Sequence, residues 1–494
     1  MSFDFVPKLP RWSWFAFCAA VGLAVAVLAY FLRAQVVVQD GPLLIEALIL
    51  SDEAPQPWHH PFYIPIVWTI ERLLGGEGLE RRALEVASAV LGGLAVFAFG
   101  GAVRQFGRGL GESLGLLALF ATSPGLIVHA SIIEMHSGQL LGAATEAWFA
   151  ALALTARSAP AAIALWFVAG SAAMGMHLLD SVLFAGGCMA LFFAGCLAWR
   201  RDRRFWPAFR PVGLALIGLG LAAAGIEALS SQTVDTAAPG ESGVEKATWL
   251  VEGFYDGPSL RVLWHEVLVP YLGVWFVLGL GLVRGGFAKD RRCLLFFTGL
   301  PLVTFVWMFG VPTAGGYALG ALPFLALSTH LPRSRAGFDR FAIAAAVIGQ
   351  VVLGHTVLRE LDDDRVRQDF ERRVALATEL LPDGGVFLSG DIDWQPVSGR
   401  IPGLVEYTLT RELADARLRG LSPQEFVGLY IGGLPTFVEN WGRIVVDPTW
   451  REQVQREPAL GPYMQALEDA IALAPNARYV PSSAGEALLI EAQR

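Results

Sequence analysis

The feature that most constrains this sequence is a series of apolar runs of membrane-spanning length. A helix that crosses a bilayer needs about 17–25 mostly apolar residues. Eleven runs reach or approach that length: 12–32, 83–103, 110–128, 137–157, 160–178, 181–199, 211–230, 263–283, 293–312, 317–331 and 341–358. The chain has 494 residues, of which 54% are hydrophobic, and a water-soluble fold does not bury so large an apolar surface. The sequence therefore predicts an all-α polytopic membrane protein.

Clustered basic residues predict the orientation, because short cytoplasmic loops collect Lys and Arg. If segment 61–75 stays at the outer surface, the basic clusters at 8–11, 200–204, 284–292 and 333–340 all fall inside. If segment 61–75 instead crosses the membrane, most of these basic clusters lie outside. The first run is longer than a signal-peptide core and is not followed by a good cleavage site. We therefore predict eleven spans, with the N-terminus in the cytoplasm and the C-terminus outside.

The character of the chain changes at about residue 359, where charged residues replace the apolar runs. The stretch "LDDDRVRQDFERR" is charged, "SPQEFVGLY" is helix-like, and "GGVFLSG" and "GRIVVD" are strand-like. We predict a membrane domain over 1–358, with large outer loops at 33–82 and 231–262. A small extracytoplasmic α/β domain is predicted over 359–494.

Charge pattern and cysteine placement exclude two further classes. The net charge of −8 comes mainly from the tail, and no basic patch is interleaved with aromatic residues, so no nucleic-acid partner is predicted. The four cysteines all fall within or at the edge of apolar runs, so no disulfide framework is predicted.

Ionisable and aromatic polar residues gather at the predicted outer ends of the spans. Ionisable groups in membrane segments are costly and usually functional. Six of the eight histidines lie near the outer surface, although the charge argument uses no histidine. The candidate site residues are Asp40, Glu46, His59, His60, Tyr63, Glu134, His136, His177, Asp180 and Tyr317. This convergence predicts an active site on the outer face of the membrane.

Structural explanations also exist for several of these residues. Asp40 follows a span and precedes a Gly-Pro pair, so it is equally explained as a helix cap or a solvated charge. A histidine pair before a proline suits the headgroup zone. His177 and Asp180, three residues apart, are also explained by a bond between them on one helical face. Glu146, near the middle of its span, has a structural role or a catalytic one.

The motifs in their order resemble those of GT-C membrane glycosyltransferases, the superfamily of the protein O-mannosyltransferases and the lipid A aminoarabinose transferases. One bacterial branch reads D-x-G-E after the first span, then H-P-P-G-Y-P, then S-P-x-F-W. The counterparts here are Asp40-Gly41, "HHPFYIP", "SPGLIVHASIIEMH", "GMHLLD" and "GGYALGALPFLAL". There are departures: Phe62 replaces the second proline, the acidic residue comes late as Glu46, and no Arg stands near Glu134.

The resemblance implies a GT-C fold and transfer of a hexosyl or pentosyl group at the outer face of a bacterial-type inner membrane. The implied donor is a polyprenyl-phosphate sugar in the lipid phase, and the acceptor is a protein, a lipid or a glycan. The implied general base is Asp40, which takes the acceptor proton. The other candidates bind substrate, and the leaving phosphate needs cationic groups.

Two alternatives stay open at this point. The leaving phosphate is stabilised either by a cationic side chain, for which His59, His60, His129, His136 and an outer-loop Arg are the candidates, or by a divalent metal held by histidine and carboxylate. A multi-span transporter or flippase of lipid-linked sugar is the rival function, and Glu146 favours it. Transporters more often show duplicated halves, however, and no internal repeat is visible in the sequence.

Overall fold

The computed structural model describes the following residues: 10–34, 62–75, 80–106, 109–177, 181–231, 259–283, 292–309, 316–329, 336–361, 364–389, 397, 401, 403–409, 413, 416, 420–428, 442–449, 460–472, 477–482 and 485–491. They form two compact units, one up to residue 360 and one from residue 361. The predicted site residues Asp40, Glu46, His59, His60 and Asp180 lie outside the described residues.

The first unit is helical throughout its described part. Its α-helices are α1 Arg11–Phe31, α2 Tyr63–Leu74, α3 Glu80–Gln105, α4 Leu110–Ala121, α5 Pro124–Ser131, α6 His136–Thr155, α7 Ala159–Met176, α8 Ser181–Asp202, α9 Phe205–Ser231, α10 Leu272–Val283, α11 Arg292–Phe309, α12 Leu322–Ser328 and α13 Ala336–Leu361. An α turn Leu260–Val262, a π-helical stretch Leu263–Leu268 and a 3₁₀ turn Val269–Tyr271 lead into α10. A 3₁₀ helix, Gly316–Ala321, precedes α12.

Helices occur at every predicted span, as expected for long apolar runs. Six of them are long and apolar enough to cross a membrane, and α4 with α5, bent by 47°, makes a seventh if the pair is one span. The protein is therefore an integral membrane protein, and the total of eleven spans stays a prediction. Helix α2 has 12 residues. At 1.5 Å per residue it is about 18 Å long, shorter than the hydrocarbon core, which agrees with an interfacial segment.

The first unit packs closely where small residues let helices approach, as membrane helices commonly do. Helices α1 and α3 cross at Gly22 and Gly93, where a Cβ added to Gly22 would lie 2.5 Å from the Gly93 carbonyl oxygen. Two helical turns away, the indole of Trp14 donates a hydrogen bond to the Gly100 carbonyl at 2.9 Å. These contacts fix α1 against α3 over the first half of α1.

The second unit is a mixed α/β domain. Its elements are α14 Asp364–Leu380, β1 Gly385–Ser389, β2 Leu404–Thr408, β3 Arg443–Val446, α15 Gly461–Ala472, β4 Ala477–Ser482 and β5 Gly485–Glu491. The strand order is β2-β1-β3-β5-β4. Strand β1 is parallel to β2 and β3, while β5 is antiparallel to β3 and β4. The predicted strands and helix in the tail are thus present at "GGVFLSG", "GRIVVD" and residues 423–428.

The sheet of the second unit is covered on both faces, which alternating side chains along the strands require. Phe387 and Val445 pack with Phe370 and Leu376 of α14 on one face. Leu388 and residues of β3 and β5 pack with α15 on the other face. The result is a three-layer domain in which the sheet lies between helices, with the parallel strands β2, β1 and β3 on one side of it.

Candidate active site

A short link between α5 and α6 places two predicted site residues in the core of the membrane unit. Helix α5 ends at Ser131, and α6 begins at His136. Glu134 is 1% exposed and His136 is 2% exposed. The backbone amide of Met135 donates to Glu134 Oε1 at 3.1 Å. Two ionisable side chains are therefore held in a tight, fully buried link, which supports the functional interpretation of both.

The backbone of Glu134 is fixed from two other helices. The Tyr63 hydroxyl on α2 donates to the Glu134 carbonyl at 3.2 Å, and the Ser88 hydroxyl on α3 donates to the same oxygen at 3.3 Å. Burial raises the pKa of Tyr63, so the phenol stays a neutral donor. Tyr63 thus positions Glu134 through its main chain.

His136 lies at the centre of a cluster of three imidazoles and one carboxylate. Its Nδ1 is 3.0 Å from Gln139 Oε1, and its Nε2 is 3.8 Å from Glu134 Oε1. Because an amide oxygen only accepts, this contact assigns the proton to Nδ1 and turns Nε2 toward the carboxylate. The ring centroids of His129 and His177 lie 5.2 Å and 5.8 Å from that of His136, and both residues are buried. Three helices therefore deliver the histidines to one place.

His177, expected to share a helical face with Asp180, lies just outside its helix; Asp180 is outside the described residues, so the bond between the two stays a prediction. Helix α7 ends at Met176, and His177 has extended backbone angles, φ −158° and ψ 115°. Its amide still donates to Ala173, which caps the helix. Leaving the helix at this point directs the chain, with His177, into the histidine cluster.

The segment that carries Asp40, Glu46, His59 and His60 leaves and re-enters the described structure beside this cluster. At its start, the Ala34 amide donates to the Ser131 carbonyl at 2.9 Å, two residues after His129. Arg33 pairs there with Glu85 of α3 at 2.9 Å.

At the other end of this segment, the Phe62 amide donates to the Gly175 carbonyl at 2.8 Å, two residues before His177. A Cβ at Gly175 would lie 2.1 Å from the Phe62 ring, so the contact requires glycine. The two ends of the 35–61 segment are thus tied to the helices that carry His129 and His177.

Gly316, which is distant from the histidines in sequence, packs against the imidazole of His136. A Cβ at Gly316 would lie 2.1 Å from Cδ2 of His136 and 2.4 Å from Nε2. Tyr317 follows directly in the same 3₁₀ helix, and its side chain is outside the described residues. The predicted outer hairpin at Tyr317 is therefore brought to His136 by its backbone.

Sequence reasoning missed three contributors. Gln139 stands one helical turn after His136, and this i, i+3 spacing was a usable signal. Ser88 and Gly316 gave none, because their roles depend on contacts with residues distant in sequence. Glu146, in contrast, is not part of the cluster: it lies ten residues along α6 from His136, about 15 Å at helical rise. It lines a cavity of about 230 Å³ with residues of α8 and α11.

The arrangement can bind an anionic or hydroxyl-rich headgroup, since imidazoles and a carboxylate supply both donors and acceptors. Among the described residues, no three His, Cys, Asp or Glu side chains are grouped so as to hold a metal ion.

Comparisons with known proteins bear on the fold. No protein-family model matches the sequence, and no curated protein matches it. Solved structures do. ArnT from Cupriavidus metallidurans bound to undecaprenyl phosphate superposes with a TM-score of 0.61 at 13% identity, covering 97% of this chain and 98% of that one. The Archaeoglobus fulgidus oligosaccharyltransferase gives 0.56 at 12% identity, covering 98% of this chain and 75% of that one.

A third match extends this set. The mycobacterial arabinofuranosyltransferase AftD gives a TM-score of 0.51 at 15% identity, covering 99% of this chain and 42% of that one. All three are membrane glycosyltransferases of the GT-C fold. The likeness covers nearly the whole chain, so the fold expected from the motifs is confirmed.

Proposed function

We propose that this protein is a membrane glycosyltransferase that moves a sugar from a polyprenyl-phosphate donor to an acceptor at the outer face of the membrane. The observation that carries the proposal is the anchoring of Ala34 and Phe62, the described residues that flank segment 35–61. In a chain of GT-C fold, both ends of the segment with Asp40 are bonded beside the buried cluster of Glu134, His136 and His177. Among the matched structures, ArnT is bound to undecaprenyl phosphate and the archaeal oligosaccharyltransferase to a dolichol-phosphate.

The proposed reaction is a single displacement with Asp40 as general base. An acceptor hydroxyl attacks the anomeric carbon, and its proton passes to the Asp40 carboxylate. The bond between the anomeric carbon and the phosphate oxygen breaks, and the lipid phosphate leaves with the electron pair. One attacking bond replaces one leaving bond, so the anomeric configuration inverts.

The histidine cluster is proposed to meet the departing phosphate. Negative charge grows on the leaving oxygen, and preorganised donors at that point lower the barrier. His136, with Nδ1 bonded to Gln139, can take a proton on Nε2, and the protonated ring then donates from Nε2 to a phosphate oxygen. His129 and His177 stand within 6 Å of it, ring centre to ring centre. Glu46, His59, His60, Asp180 and Tyr317 are proposed to complete the binding of donor and acceptor.

The test compares wild type with Asp40→Asn in membranes, following transfer of labelled sugar from a panel of polyprenyl-phosphate sugars to endogenous acceptors. Asparagine keeps the size and polarity but cannot take the proton, so the rate should fall a hundredfold or more. Asp52→Asn makes the same chemical change in the same segment and should transfer at the wild-type rate. Equal rates in both variants would remove Asp40 as the base, and no transfer by wild type from any donor would refute the function.

Transport of a lipid-linked sugar is the second candidate, and the buried Glu146 beside a cavity is the observation that favours it. Reconstituted vesicles separate the two functions. A transporter moves intact donor lipid between leaflets without an acceptor, whereas the transferase consumes donor only when acceptor is present. A reporter fused after Arg494 tests the orientation, since the proposed topology requires activity on the outer side only.

A further inference from the structure

A cavity among the helices of the first unit lies apart from the histidine cluster. Its volume is about 230 Å³, and residues of α3, α6, α7, α8, α11 and α12 line it. An apolar cavity of about 150 Å³ is enough to bind benzene, so this one has room for a molecule of about nine non-hydrogen atoms. The cavity is therefore large enough for a small organic ligand.

One face of α6 contributes the largest share of the lining residues. Glu146, Ala150 and Leu154 follow one another at i, i+4 and i+8, the spacing of one helical face, and all three line the cavity. Ala147 and Ala151 line it beside them, and their small side chains leave the space open. Leu154 is 46% exposed, so the cavity opens here at the surface of a membrane helix. Glu146 is 3% exposed and lies about 12 Å away at helical rise, at the buried end.

The rest of the wall is mainly apolar. Trp166 of α7 and Phe324 of α12 are buried aromatic residues, and Leu191 and Leu295 add aliphatic groups. Sites for small molecules combine walls of this kind with a few polar groups that fix the orientation of the ligand. The polar residues of the lining are Gln105, Glu146, Thr155, Cys188 and Thr298. We call this space the Glu146 cavity.

Glu146 selects the polar group of the ligand. A carboxyl group has two oxygens with several lone pairs, so it can bond to a ligand beside any bond that it makes within the protein. Because the cavity lies among membrane helices, a charged ligand would have to give up its hydration to enter, and an anion would also meet the carboxylate. A neutral hydroxyl group donates to an ionised carboxylate and accepts from a protonated one, so it matches Glu146 in either state.

The geometry points to a binding site for a small amphipathic alcohol in the Glu146 cavity. The hydroxyl group bonds to the carboxyl group of Glu146, and the hydrocarbon body packs against Trp166, Phe324 and the alanines of α6. Two sources supply this chemistry: a free alcohol that fills the cavity, or a lipid alcohol whose chain passes Leu154 into the bilayer. The site lies about 15 Å from His136 along α6 and requires neither sugar transfer nor transport.

The test measures binding of labelled 2-phenylethanol, an alcohol of the matching size, to the full-length protein in lipid nanodiscs. Empty nanodiscs give the partitioning into lipid, which does not saturate, and the protein should add a single saturable site. Propylbenzene has the same shape with a methyl group in place of the hydroxyl. At equal concentration in the lipid it should therefore compete about tenfold less well, the effect of losing one hydrogen bond.

A cavity-filling variant tests the location of the site. Ala150→Leu places a larger side chain in the cavity and should abolish saturable binding. Filling a cavity commonly stabilises a protein, so the melting temperature should not fall. Ala224→Leu makes the same change at an exposed position of α9 and should bind like wild type. Asp40→Asn should also bind normally, which separates this site from the proposed transfer site.

Glu146→Leu tests the polar end, and it should bind 2-phenylethanol no better than propylbenzene. The comparison of the two probes on wild type decides the same point if this variant does not fold. Displacement by 1-hexadecanol would assign the site to a lipid alcohol, and its failure to displace would assign the site to a free one. The inference is overturned if wild type has no saturable site, if Ala150→Leu binds as tightly as Ala224→Leu, or if propylbenzene or 2-phenylethylamine binds as tightly as 2-phenylethanol.

Discussion

Gly316→Ala tests whether the position of His136 matters for the reaction. The added Cβ would lie 2.1 Å from Cδ2 and 2.4 Å from Nε2 of the imidazole, whereas carbon atoms in good contact are about 3.5–4.0 Å apart. Gly316 has no positive φ, so the change adds no backbone strain. The ring is buried and held by Gln139, and it must move by more than about 1 Å.

The displacement of the His136 ring sets the expected losses of stability and of transfer rate in Gly316→Ala. Overpacking a buried site costs about 1–3 kcal/mol of the free energy of unfolding. A misplacement of about 1 Å at a reacting centre costs about a hundredfold in rate. The assay measures initial rates of sugar transfer in membranes, normalised to folded protein, beside thermal unfolding in detergent.

The matched control is Gly213→Ala on α9, where an added Cβ meets nothing within 4 Å. This variant should transfer sugar at the wild-type rate. A Gly316→Ala protein that unfolds at a lower temperature but transfers sugar at the wild-type rate would refute a role for His136 in the reaction. Packing at this point would then be structural only.

Two predictions concern the second unit. Arg373→Met removes a buried guanidinium that lies 3.4 Å from Glu406, and it should lower the free energy of unfolding by about 3–5 kcal/mol. Arg478 is largely exposed, so Arg478→Met should lower it by at most about 1 kcal/mol. Equal losses of the two variants in chemical denaturation would contradict the argument from burial. Hydrogen bonds from the side chain and backbone of Ser422 lower the pKa of Glu425. The ionised carboxylate therefore stabilises the fold above its unfolded-state pKa, and this contribution is lost as the pH falls through the lowered pKa. Glu425→Gln should make the free energy of unfolding less dependent on pH in that acidic range, and an unchanged pH profile would contradict the argument.

The membrane fold was largely predictable because its signal is local. Runs of apolar residues gave helices at each predicted span, and the change of composition near residue 359 lies within two residues of the division between the units. Even the break between α4 and α5 was signalled by Ser123-Pro124, since proline prefers the first turn of a helix. The strand order of the second unit had no such signal, because pairing joins segments far apart in sequence.

Several residues of the candidate site could be predicted from the sequence, but the contacts that hold them could not. Glu134, His136 and His177 could be selected because ionisable residues in apolar segments are rare and costly. The tertiary contacts that fix them could not: the approach of Gly316 to His136 joins residues 180 positions apart, and Tyr63 reaches the Glu134 backbone across 71 positions. That His177 lies just past the end of its helix could not be predicted either, because helix ends are poorly marked by periodicity.

Two backbone hydrogen bonds, made by the residues on either side of segment 35–61, connect the first predicted outer loop with the helices of the histidine cluster. A segment of 27 residues could reach many parts of the outer surface if only one end were fixed. Here the Ala34 amide is held on Ser131 and the Phe62 amide on Gly175, and these carbonyls stand two residues from His129 and His177. Asp40 is six residues from Ala34 in the sequence, and His60 is two residues from Phe62. The two motif groups that the sequence suggested separately, one in the first outer loop and one around Glu134, are thus tethered to the same helices.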